Sequence, residues 1–154
     1  MSEKKELKVK SIKNGTVIDH IRQNRAANIL SMLNLPDDET PIMVAINVES
    51  SHMGKKDIIK IEGRELSEEE VDKLVLLAPQ ASINIIRNYE IVNKFNIQLN
   101  EEVVGVVKCS NPNCISNSNE PIQDKFYVQS KEPVILRCHY CERTMDYEDI
   151  ESQF

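Results

Sequence analysis

Four cysteines, and no others, punctuate the last third of the chain in the spacing C-x4-C-x23-C-x2-C: Cys109, Cys114, Cys138 and Cys141. Two tight pairs, separated by a stretch long enough to form strands, can bring four thiolates to one tetrahedral ion. A d10 ion without redox chemistry accepts four sulfurs at about 2.3 Å, so the expected occupant is one Zn2+ per chain. Four protein ligands close the coordination sphere, which makes such a site structural. Two disulfides would use the same four residues. However, residues 1 to 15 are charged and lack the apolar segment of a secretion signal, so we expect a cytoplasmic chain whose thiols stay reduced. A redox role for Cys138 and Cys141 alone would leave the first pair unexplained.

A chain of 154 residues suits one domain of about a hundred residues plus a small module. The cysteine-bearing tail is too short to fold on its apolar content, and below about 70 residues a metal commonly supplies the missing stability. We therefore expect domains at 1–100 and 101–154, joined by the polar stretch 96–102. Charge separates the same two parts. The tail holds Lys108, Lys125, Lys131, Arg137 and Arg143 against ten acidic residues, whereas residues 1–100 are nearly balanced. A module that tracks phosphates needs the opposite sign, because counterion release supplies most of its affinity. The tail is thus expected to bind protein, with no nucleic-acid partner. No run of 18 apolar residues occurs, so no membrane partner is expected either.

Periodicity supplies the elements. Short strands are expected at 7–12 and 16–21 around Asn14-Gly15, a tight-turn dipeptide. Ala26, Ile29, Leu30 and Leu33 recur at helical spacing, and Pro36 ends that helix. The apolar run 42–48 reads as a strand, 49–56 as a loop, and 57–61 as a strand that turns Lys60 away from Ile59 and Ile61. Ser67 caps a second helix, Glu70 completes its capping box, Leu66 and Val71 staple it, and Pro79 stops it. Strands follow at 81–86 and 90–95, and short ones at 103–107, 125–128 and 134–137. The order predicts an α+β fold in which two helices cover one face of an antiparallel sheet, a ferredoxin-like two-layer sandwich, followed by the small β-rich zinc domain.

Catalysis finds little support. Four scattered glycines cannot form a phosphate loop, no nucleophile has an evident base, and Asp19-His20 reads first as a polar surface pair. A single lysine on a strand, such as Lys60 or Lys94, reads first as solvated.

Several separated segments carry a resemblance. They are Ile12-Lys13-x-Gly15-Thr16-Val17-Ile18-Asp19-His20-Ile21, Met53-Gly54-Lys55-Lys56-Asp57-Ile58-Ile59-Lys60-Ile61, Ala78-Pro79-Gln80-Ala81, Asn88-Tyr89-Glu90 and Cys138-x-Tyr140-Cys141-Glu142. With them the chain resembles, over essentially its full length, the regulatory chains of aspartate carbamoyltransferase. The resemblance implies a noncatalytic subunit that binds CTP, ATP and in some members UTP, and so adjusts a catalytic chain of pyrimidine biosynthesis. It implies that Lys94 and His20 meet the triphosphate, Asp19 the ribose hydroxyls and Lys60 the ribose or base. Main-chain groups of Val9, Ile12 and Tyr89 would read the base edge, with Val17, Asn84, Ile86 and Ile91 lining the pocket. The zinc domain would dock the catalytic chain through Asn111, Asn113, Tyr140, Glu142 and Arg143, in an assembly of two catalytic trimers with three regulatory dimers. The chain departs from the family pattern at Glu6, where a basic residue is common, and at His139, where a lysine is common.

Overall fold

The computed structural model describes residues 11–154. Within them two antiparallel sheets share one apolar core. The first sheet is built from β1 (Gly15–Arg22), β2 (Ile42–Ser50), β3 (Gly54–Glu62), β4 (Ser82–Arg87) and β5 (Glu90–Asn96), with α1 (Ala26–Met32) after β1 and α2 (Glu68–Leu77) after β3. Its order is β2-β3-β1-β4-β5. Without β5 this is the expected ferredoxin-like arrangement, and β5 adds one strand by hairpin.

Alternation along the strands separates the faces. Ile18, Ile59, Ile61 and Ile83 are essentially inaccessible and pack with Ile29 and Leu33 of the first helical segment and Leu74, Leu76 and Leu77 of α2. Gly15 is needed for this pairing. Its φ is +144°, and a Cβ there would lie 2.1 Å from the Ile61 carbonyl oxygen on β3. The capping box of α2 is formed as expected: Ser67 Oγ accepts from the Glu70 N–H, and the Glu70 carboxylate accepts from the Ser67 N–H.

Some expectations need correction. The 7–12 strand falls mostly outside the described residues, and Ser11 and Ile12 are not in a strand. The first helix ends at Met32, before Pro36, because Asn34 takes a left-handed φ of 60° and turns the chain. The supposed loop 49–56 is the tip of a hairpin, its flanks paired from Val48↔Lys56 to Ser50↔Gly54. The supposed linker is not free, since Ile97 and Leu99 are buried in the common core.

The second sheet, in the order β6-β7-β8-β9, comprises β6 (Glu102–Val104), β7 (Lys125–Lys131), β8 (Val134–Cys138) and β9 (Thr144–Met145). A short helix, α3 (Tyr147–Glu151), follows under its own capping box from Asp146 and Asp149. Neither β9 nor α3 is expected from the sequence. Phe126, Leu136, Met145 and Ile150 are buried here, in the same apolar cluster as Leu76 and Leu77. At the seam the Arg25 guanidinium lies 3.6 Å from the Tyr147 ring centroid. Glu132, in the β7–β8 turn, receives Arg22 at 3.3 Å and is also hydrogen-bonded by Gln80.

Candidate metal centre and open sheet face

The four cysteines converge. Their Sγ atoms all lie within 4.8 Å of one another, and Cys109, Cys114 and Cys138 are buried while Cys141 is half-buried. Two loops bring them together. In the first, Cys114 N–H donates to the Asn111 carbonyl and a 3-10 turn, Ile115–Asn117, follows. In the second, β8 delivers Cys138, whose carbonyl accepts from the Glu142 N–H, and Glu142 reverses the chain with φ 62°.

The spacing fits a metal. Sulfurs arranged tetrahedrally at about 2.3 Å from an ion stand about 3.8 Å apart. Here Cys109 Sγ and Cys141 Sγ are 3.6 Å apart, and Cys114 Sγ and Cys138 Sγ 3.7 Å. Sulfur acceptors are already engaged, with Ser116 Oγ donating to Cys114 Sγ at 3.1 Å and Tyr140 N–H to Cys138 Sγ at 3.4 Å. Such donors orient thiolates and offset their charge. Without an ion the thiols differ in character. Burial, reinforced by the neighbouring thiols, pushes Cys109 up to about 12. Burial also acts on Cys141, but hydrogen bonds led by the Arg143 backbone N–H outweigh it and bring that thiol down to about 7. A divalent cation would discharge this clustered thiol chemistry by taking all four as thiolates.

The five residues expected at a docking surface ring this centre. Asn113, Tyr140, Glu142 and Arg143 are exposed and Asn111 is half-buried. Two of them also brace the loops: Asn111 Oδ1 accepts from the Asn113 N–H, and Tyr140 Oη donates to the Gln123 carbonyl. His139 joins Tyr127 at 2.7 Å.

The second feature lies on the sheet face turned away from the helices. Cross-strand register places Lys60 beside Val17, Val17 beside Asn84, and Asn84 beside Lys94. One row across β3, β1, β4 and β5 thus holds two lysines flanking an apolar and an amide side chain. Ile12, Val17 and Ile86 form a small buried cluster on this face, with Met43 and Ile58 packed against it. Ile91 pairs with Ile86 and is exposed, as is Tyr89. Asn84 Oδ1 is buried and, among the described residues, has no hydrogen-bond partner. A buried amide oxygen in that state is unusual and suits an arriving donor. Partial burial holds the Lys60 ammonium below the ordinary lysine range, and the charge of Asp19 works the other way.

One register step along, β1 bulges and presents Asp19 and His20. Asp19 Oδ1 pairs with Lys56 Nζ at 2.9 Å and accepts the His20 N–H. His20 Nδ1 meets Ser82 Oγ at 2.9 Å. Of the residues expected on this face, only Val9 lies outside the described region. Sequence reasoning passed over Lys56, Ser82, Met43 and Ile58. Lys56 stands four residues before Lys60 on the same strand face, which was a readable signal; Ser82 has none without the register.

Fold and sites together define a two-module protein: an α+β unit with an open, lysine-flanked sheet face, fused to a four-thiol metal centre. Comparison with known proteins specifies it further. The family profile described as aspartate carbamoyltransferase regulatory chain, allosteric domain, matches residues 7–98, and the metal binding domain of the same chain matches residues 101–151. The aspartate carbamoyltransferase regulatory chain of Methanosphaera stadtmanae is 73% identical over 151 residues, covering 98% of this chain and 99% of that one. Its counterpart from Methanothermobacter thermautotrophicus is 56% identical over 149 residues, covering 97% and 96%. That from Pyrococcus horikoshii is 51% identical over 147 residues, covering 94% and 96%. The chain belongs to the family of aspartate carbamoyltransferase regulatory chains, and is therefore a regulatory rather than a catalytic subunit.

Proposed function

We propose that residues 1–100 form an effector module that binds CTP and ATP, and UTP as some members of the family do, at one site on the open sheet face, and that residues 101–154 form a Zn2+-stapled module that docks the catalytic chain. Binding would shift the activity of associated catalytic subunits at the entry to pyrimidine synthesis in the cytoplasm. The observation that carries the effector half is the row Lys60, Val17, Asn84 and Lys94 across four strands. A nucleoside triphosphate needs an apolar bed for its base, hydrogen-bonding edges, and cations for its phosphates; this row and the adjoining Ile12–Ile86 cluster offer all three. Lys94 and His20 would meet the triphosphate, with Ser82 orienting the imidazole. Asp19 would take the ribose hydroxyls, Lys60 the ribose or base, and main-chain groups of Val9, Ile12 and Tyr89 the base edge. Val17, Asn84, Ile86 and Ile91 would line the pocket.

For the docking half, closure of two knuckles by one ion gives a rigid loop surface from which Asn111, Asn113, Tyr140, Glu142 and Arg143 would contact the partner. The expected assembly joins two catalytic trimers through three dimers of this chain. Zinc would act on structure alone. Calorimetric titration of the zinc-loaded chain with CTP, then with ATP in the presence of CTP, tests the effector half. Competitive binding is expected, weakened on the order of ten- to a hundredfold in Lys94→Ala through loss of a charged contact. Independent, non-competing binding, or an unchanged Lys94→Ala affinity, would refute the single site.

A further inference from the structure

Asp57 is completely buried, yet no lysine or arginine among the described residues pairs with it. A buried carboxylate without a counter-ion persists only when hydrogen-bond donors replace its water. Two main-chain donors do so. Asp57 Oδ2 accepts from the Ala26 N–H at the start of α1, and Asp57 Oδ1 from the Asn47 N–H on β2, each at 3.1 Å. Arg25, the residue before α1, supplies no side-chain cap, so Asp57 takes that role from another strand.

Its place in the sheet explains the arrangement. On one side of β3, the pairing passes from Ile18↔Ile59 to Ile21↔Asp57, so β1 carries one extra residue, and His20 there has φ 59°. On the other, it passes from Ala45↔Ile58 to Val48↔Lys56, so β2 carries one extra residue, and Asn47 there has φ 62°. Bulges on both neighbours thus fall at the same level of β3. Each removes ladder hydrogen bonds and re-aims a side chain. Asp57 satisfies the donor that the β2 bulge leaves over, and ties it to α1, which begins six residues after His20 of the other bulge.

We infer that Asp57 is a positioning residue: it touches no effector, but fixes the twin bulges that aim Asp19 and His20 across the open face. For effector binding, this rests on the nucleotide reading of that face. Asp57→Asn keeps the shape and offers one acceptor where two are needed, turning an amide N–H₂ against a main-chain donor. Ser67→Ala is the control, because it removes the cap of α2, away from the open face, and lowers stability without touching the bulges.

With the full zinc-loaded chain, Asp57→Asn is expected to weaken CTP binding by about tenfold or more, while Ser67→Ala stays within about twofold. The ring resonances of His20 should move in Asp57→Asn without nucleotide present, and stay in place in Ser67→Ala. Wild-type CTP affinity with unmoved His20 resonances in Asp57→Asn would overturn the inference. Failure of the wild-type chain to bind CTP, with His20 displaced in Asp57→Asn, would refute the nucleotide reading and support the positioning role. If Asp57→Asn does not fold, amide exchange in the wild-type chain decides. CTP should slow exchange at Asn47 and Ala26, and unchanged exchange at both would overturn the proposal.

Discussion

Lys60 illustrates how a single side chain can be tuned by its place in a sheet. It sits on the open face while Ile59 and Ile61 on either side are buried, and its own burial lowers its proton affinity against the pull of Asp19. Ribose or base oxygens accepting from Lys60 favour its charged form, so nucleotide affinity should fall as pH rises through the Lys60 pKa, sooner than for an ordinary lysine. Lys60→Arg, whose charge persists, should remove that alkaline loss. Calorimetry from neutral to alkaline pH would check both, and parallel profiles for the two chains would contradict the assignment. The direction of Lys60 was legible from strand alternation alone. Asp57 and Ser82 were not, because their partners lie on other strands and in a helix, and sequence spacing carries no cross-strand register. Asn84 and Lys94 entered through family resemblance, and the register then brought them side by side.

At the scale of elements, the start and stop of α2 were legible because their signals are local, the Ser67–Glu70 capping box at one end and Pro79 at the other, whereas the burial of Leu76 and Leu77 was not. Removing the cap in Ser67→Ala should cost about 1 kcal/mol, seen as a lower denaturant midpoint with unchanged slope. Gly15→Ala should cost more, since it combines a disfavoured φ with a collision at the Ile61 carbonyl. Equal midpoints for the two variants would mean that β1 and β3 can separate without penalty. The β2–β3 hairpin was hidden because its tip is polar and looks like a loop, although its flanks keep pairing out to Gly54. Helix α3 was hidden by brevity. Five residues give no periodicity, and its cap is an Asp pair rather than the commoner Ser/Thr with Glu/Gln.

The whole molecule is held by a core that runs through both sheets, with Cys109, Cys114 and Cys138 among its members and Ile97 and Leu99 buried between them. Metal and core therefore act together. Chelation should lower the melting temperature of the entire chain by circular dichroism rather than produce an independent early transition for the tail; two separated transitions would contradict a shared core. Protons compete with the ion for the sulfurs. A thiol brought down to about 7 at Cys141 surrenders its proton readily, but the buried Cys109 holds its own tightly, so a metal ion held by the four thiolates should be released progressively on acidification. Cysteine placement and charge are the local signals behind the expected two domains, whereas the seam, with Arg25 over Tyr147 and Glu132 between Arg22 and Gln80, depends on approaches no local pattern encodes. The most direct test of the account is reconstitution: zinc-loaded chain mixed with catalytic trimers, assayed with and without CTP and ATP, beside trimers alone. Larger assemblies whose activity responds to nucleotide, where isolated trimers do not respond and zinc-stripped chain does not assemble, are the predicted result. Assembly without metal, or an equal nucleotide response in the isolated trimers, would contradict it.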